Sequence, residues 1–98
     1  MTLEEATGEI KRMADLHGGK LKATTKFVLD GDTIFLDDTV SPTAVTNDDG
    51  DAECTIKMSL ENFQKMMSGS LNPMMALMAG KMKIEGDKGV AMKLSGMF

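Results

Sequence analysis

AECTIKMSLENFQKMMSGSLNPMMALMAGKMKIEGDKGVAMKL, residues 52–94, carries most of the information in this 98-residue chain. Ala52, Cys54, Ile56 and Met58 alternate with Glu53, Thr55 and Lys57, the period of two that gives a strand one buried face. Ser59 is placed to cap a helix in which Leu60, Phe63, Met66 and Met67 recur at helical spacing, and Gly69 ends it. Asn72-Pro73 restarts a helix, with Asn as cap and Pro at the first position, where a missing N–H costs nothing. Met74-Met75-Ala76-Leu77-Met78-Ala79 then contains no polar side chain, and a helix that is apolar all round calls for cover on every side. Gly80 closes it, Lys81 to Glu85 reads as a strand with Met82 and Ile84 on one face, and Gly86-Asp87 leads into a short last helix. Val90, Leu94 and Met97 line one side of that helix.

Upstream, Thr2-Leu3-Glu4-Glu5 has the form of a capping box, so a helix starts there and runs to Gly18-Gly19. Leu3, Ile10, Met13 and Leu16 mark its apolar face. From Lys20 the period becomes two, with Leu21, Ala23, Thr25, Phe27 and Leu29 on one side of a strand. Asp30-Gly31-Asp32 predicts a hairpin into Thr33 to Leu36. Val40 to Thr46 reads as a third strand, at a sheet edge because Pro42 lacks a ladder donor, and Asn47 to Asp51 as a polar turn. The order is helix, four strands, two helices, strand, helix. It predicts an α+β fold in one domain, residues 1–98: a five-stranded, mainly antiparallel sheet with helices over one face.

Composition narrows the function. The net charge of −4 and the absence of Trp and Tyr argue against nucleic acid, because no basic run exists and only four Phe are present to stack on bases. The same acidity predicts at most transient contact with anionic bilayers. The lone Cys54 excludes an internal disulfide and, with an N-terminus lacking a continuous apolar run, predicts a cytoplasmic protein. His17 suits a helix C-terminus, Cys54 an inward strand position, and the carboxylate pairs Glu4-Glu5 and Asp37-Asp38 a solvated surface. No nucleophile–base pair, calcium loop or phosphate loop is present, so no catalytic residue, metal or cofactor is expected. Nine of eleven methionines fall between Met58 and Phe98, an adaptable apolar surface suited to partners of varying shape.

Several linked motifs resemble the sterol carrier protein-2 (SCP-2) family: Cys54-Thr55-Ile56-Lys57-Met58-Ser59, the helix Phe63 to Gly69, Leu71-Asn72-Pro73, Gly80-Lys81-Met82-Lys83-Ile84-Glu85-Gly86-Asp87 and Ala91-Met92-Lys93-Leu94. The resemblance covers about half the chain, since the N-terminal half agrees in pattern more than in letters. It implies an apolar tunnel between sheet and helices that takes fatty acid, acyl-CoA, phospholipid, sterol or an isoprenoid-like chain. It assigns Phe63, Met66, Met67, Met74, Met75, Leu77, Met78, Met82, Ile84, Val90, Leu94 and Met97 to the tunnel wall. Ala79 stands where some members carry a Gln, and Leu77 and Met78 where some carry aromatic residues, which removes a headgroup contact and loosens the wall. The chain ends at Phe98 without the longer tail and terminal Ser-Lys-Leu of animal members, so a stand-alone bacterial-type domain is expected, a monomer or weak homodimer. The resemblance implies a non-enzymatic lipid carrier; the alternative is a protein-interaction or dimerisation module, as in quinone biosynthesis assemblies. Periodicity leaves open whether Phe98 plugs the tunnel.

Overall fold

The computed structural model describes residues 1–97, and Phe98 lies outside the described residues. The elements are α1 (Leu3–His17), β1 (Thr24–Leu29), β2 (Asp32–Asp37), β3 (Ala44–Thr46), β4 (Cys54–Met58), α2 (Leu60–Met67), α3 (Pro73–Met78), β5 (Met82–Gly86) and α4 (Lys88–Ser95). The five strands form one sheet in the order β3-β2-β1-β4-β5. Every neighbouring pair is antiparallel except β1 and β4, which run parallel from Thr25 beside Cys54 to Leu29 beside Met58.

Local chemistry sets the ends of the elements. Thr2 and Glu5 complete the capping box of α1, with Thr2 N donating to Glu5 Oε1 at 3.0 Å and Glu5 N to Thr2 Oγ1 at 3.1 Å. The β1–β2 turn is two residues long, with Asp30 at φ 51° and Gly31 at φ 88°, the left-handed pair that a tight hairpin of twisted strands demands. At Gly86, where φ is +87°, a Cβ would run into the Glu53 carbonyl, so only glycine lets β5 lie this close to β4.

The inward face of the sheet carries Thr25, Phe27 and Leu29 from β1, Ile34 and Leu36 from β2, Cys54, Ile56 and Met58 from β4, and Met82 from β5, all buried. Ala6, Ile10 and Met13 of α1 and Phe63 of α2 close over it. The rings of Phe27 and Phe63 meet edge to face, with centroids 6.4 Å apart, which pins α2 to the middle of the sheet. Thr25 Oγ1 is buried in this layer with no hydrogen-bond partner among the described residues.

Three strand starts move by two residues or more from their sequence-derived positions, two of them for one reason. The Asp38 carboxylate, expected to be solvated, is buried. It accepts hydrogen bonds from Gly19 N (2.7 Å), Leu21 N (2.9 Å), Lys22 N (2.8 Å) and Thr43 Oγ1 (2.6 Å). The backbone from Gly19 to Lys22 therefore wraps round an anion instead of joining the ladder, with Lys22 at φ 53°, and β1 begins at Thr24 rather than Lys20. The same clamp holds Thr43, so β3 is reduced from Val40–Thr46 to Ala44–Thr46 at the sheet edge, and Val40 is exposed. Ahead of β4, Glu53 N donates to Thr24 Oγ1 and its carboxylate accepts from Thr24 N, both at 2.9 Å. The pairing thus begins at Cys54, not Ala52. Leu16, counted on the apolar face of α1, points to solvent.

Burial opposes ionisation of Asp38, but its four hydrogen bonds outweigh that and hold the carboxyl below the usual Asp range. A depressed folded-state pKa contributes stability above the unfolded-state pKa and loses it as pH falls through the folded one. Asp38→Asn is expected to cost about 2 kcal/mol at pH 7, the scale of hydrogen bonds to a buried charge. In urea titrations the gap from the parent should shrink as the pH is taken below about 4. Thr25→Val removes the partnerless hydroxyl and should stabilise the chain by about 1 kcal/mol in the same assay; a loss would reveal a partner for that oxygen.

Candidate functional site

Among the described residues, two hollows of several hundred Å³ open on the surface. One, of about 560 Å³, lies between the C-terminal end of α1 and the Thr39–Thr43 loop. Its one buried charge, Asp38, is fully committed to the clamp, so this hollow is a by-product of the loop closure.

The other, of about 390 Å³, is walled by five elements. Its floor is the inward face of the sheet at Ile56, Met82 and Ile84; Met66 of α2 closes one side; Pro73, Met74 and Leu77 of α3 form the outer lip; and Lys88, Ala91, Met92, Leu94 and Ser95 of α4 form the opposite wall. Ten of these twelve side chains are apolar. The groove exists because α3 and α4 stand apart over the β4–β5 end of the sheet. Helix α3 sits where it does because Asn72 Oδ1 accepts from Met74 N (2.9 Å) and Met75 N (3.4 Å), Ala76 is fully buried, and Lys81 N donates back to Ala76 O at 2.8 Å. On α4, residues 88, 91, 92 and 95 fall at i, i+3, i+4 and i+7, one continuous stripe facing the groove. Asp87 caps that helix through Gly89 N (2.8 Å) and Val90 N (3.3 Å).

Six of the twelve residues assigned to the wall from sequence meet in this groove: Met66, Met74, Leu77, Met82, Ile84 and Leu94. The other six lie elsewhere. Phe63 and Val90 are buried in the core. Met67 and Met97 face the other way, around a hollow of about 80 Å³ against α1. Met75 and Met78 stand on the outer side of α3, 65% and 83% exposed. Helix α3 is therefore not covered on every side, as an apolar surface all round would demand, and the space beneath it is an open groove. Ile56, Pro73, Lys88, Ala91, Met92 and Ser95 also line it and escaped the sequence assignment. The alternation of β4 already placed Ile56 inward; the α4 stripe becomes legible only once the direction of the core is known.

Cys54 lies on the same sheet face but fully buried, between Thr25 of β1 and Gly86 of β5. Burial, with the nearby Asp87 charge, pushes its thiol up from the ordinary range and leaves it a poor nucleophile. Among the described residues, no helix is long and apolar enough to cross a membrane.

The profile of the SCP-2 sterol transfer family matches residues 19–98. Human sterol carrier protein 2 is 45% identical over 51 residues, which make up 52% of this chain and 9% of the human protein. This chain thus spans about a tenth of the length of that curated relative. Among solved structures, the apo sterol carrier protein 2 of Yarrowia lipolytica superposes with a TM-score of 0.69 at 24% identity, covering 94% of this chain and 72% of its own. The palmitated SCP2L2 of Aedes aegypti superposes with a TM-score of 0.77 at 19% identity, covering 98% and 93%. At these identities the superpositions establish the fold: a mixed α+β domain with one five-stranded sheet and four helices.

The folded chain should leave Ellman's reagent unreacted over the minutes in which an exposed thiol is consumed, and react stoichiometrically in concentrated urea. Rapid native-state reaction would mean that the β4–β5 end of the sheet opens.

Proposed function

The chain belongs to the SCP-2 sterol transfer family, and from that membership we propose that it is a non-enzymatic lipid carrier whose ligand chain lies in the groove between α3, α4 and the β4–β5 end of the sheet. The observation that carries this reading is the groove itself: about 390 Å³, ten of twelve lining side chains apolar, with the exposed methionines Met74 and Met92 on opposite walls. That volume falls in the range of small-molecule pockets, roughly 300 to 1,000 Å³.

Magnitudes say how such a groove works. About ten methylenes buried at ~0.8 kcal/mol each give ~8 kcal/mol, from which association removes at least ~4. The remainder, about −4 kcal/mol, corresponds to millimolar binding. Reaching micromolar binding, about −8 kcal/mol, requires roughly five more methylenes out of water. Met74 and Met92, 59% and 75% exposed, are the side chains at hand to fold over a seated chain, since methionine changes shape through three rotatable bonds without moving backbone. On this reading the open groove becomes the tunnel when a ligand is present.

The accessory-module reading draws on a different observation, the uncovered Met75 and Met78, which suit a partner surface as well as water. One experiment separates the two. Organic extraction and mass spectrometry of the purified chain, against a mock purification, should recover a stoichiometric acyl or isoprenoid species. Leu77→Arg places a charge in the groove at a site 39% exposed, and should abolish that species without changing the circular dichroism. A blank extract from a chain that dimerises with concentration would instead support the accessory module.

A further inference from the structure

The groove wall is apolar except for two side chains, and both lie on the α4 stripe. Ser95, at its C-terminal end, donates its hydroxyl to Met92 O at 2.8 Å and is already committed. Lys88, at the N-terminal end, is the one ionisable side chain lining the groove among the described residues. The two are separated by about 10 Å along the helix at ~1.5 Å per residue, so the apolar trough runs away from the amine. No hydrogen bond or ion pair engages Lys88 among the described residues. Asp87 is next in sequence, but its Oδ1 is turned to Gly89 N and Val90 N. Those two amides are satisfied by the cap, which leaves the ammonium group as the anion-binding element at this end.

An apolar trough with a lone cation at one end is complementary to an amphiphile with a single anionic head. Resting on the lipid-carrier reading above, we propose that Lys88 sets the headgroup preference of this groove: the ligand is a single-chain acid whose carboxylate pairs with the Lys88 amine while its tail lies along Ala91, Met92 and Leu94. Neutral amphiphiles of the same length fill the trough but leave the amine unpaired.

The test is calorimetric titration of the purified chain with palmitate and with 1-hexadecanol, two probes of equal chain length presented on the same carrier. The amine is exposed, so the discrimination is that of a solvent-screened ion pair, and palmitate is expected to bind roughly fivefold tighter. Lys88→Met should remove that preference by weakening palmitate alone, Lys88→Arg should keep it, and Lys93→Met, on the same helix but outside the groove, should leave it unchanged. The preference should also shrink at high salt. Equal binding of the two probes by the parent chain, or a preference that survives Lys88→Met, would overturn the assignment of Lys88 while leaving the carrier reading intact. Failure of the parent chain to bind either probe would overturn the carrier reading itself.

Discussion

Five residue pairs along one parallel seam, from Thr25 beside Cys54 to Leu29 beside Met58, hold this fold together. On one side lies a meander, β1, β2 and β3, with α1 packed over it; on the other lie β4 and β5 with α2, α3 and α4. Among the described residues, strand pairing joins the two halves only here. Parallel pairing needs a long return connection, and the chain supplies it by passing through β2, β3 and the acidic turn before entering β4. The seam is therefore built from non-local contacts, reinforced at its start by the mutual hydrogen bonds of Thr24 and Glu53 and beneath its centre by the Phe27–Phe63 edge-to-face contact.

The halves divide the labour. The α1 half is closed by a polar device, the Asp38 carboxylate, which gathers two loops by satisfying three backbone amides and a hydroxyl at once. The other half has no such buried carboxylate among the described residues; apolar contact does most of the closing, and leaves it incomplete. Helix α3 buries only Ala76 and presents methionines both to the groove and to water. A rigid empty cavity of that volume, sealed inside a domain this small, would cost about 9 kcal/mol at ~24 cal/mol per Å³, comparable with the ~5 to 15 kcal/mol of a whole domain's stability. An open-sided groove escapes that cost, because water and side chains enter it.

Much of the fold was legible because its periods are clean. The alternation in Cys54, Ile56 and Met58, the Asp30-Gly31 turn, and the caps Thr2, Ser59 and Asn72 are local signals, and the strands and helices stand where those signals put them. What was not legible depends on partners far away in sequence. Asp38 reads as one of two neighbouring surface acids until Gly19, Leu21, Lys22 and Thr43 converge on it, and that convergence moves two strand ends. The groove was half legible for a similar reason. Helical spacing says that Phe63, Met66 and Met67 share an apolar arc, but not that Phe63 turns to Phe27, Met66 to the groove and Met67 to α1, because the angle at which α2 crosses the sheet decides it. Lys88 gave no signal, since a charge after a Gly-Asp turn reads as solvated.

The lip of the groove has a chemical consequence of its own. Met74 and Met92 at the groove, and Met75 and Met78 on the outer side of α3, are exposed, whereas Met13, Met58 and Met66 are buried. Peroxide reaches the first set long before the second, and each sulfoxide it forms is polar, chiral and enzymatically reversible. Oxidation would thus rewrite the rim from oily to wet while the sheet and its seam stay intact, tying the apolar character of this surface to the oxidative history of its surroundings.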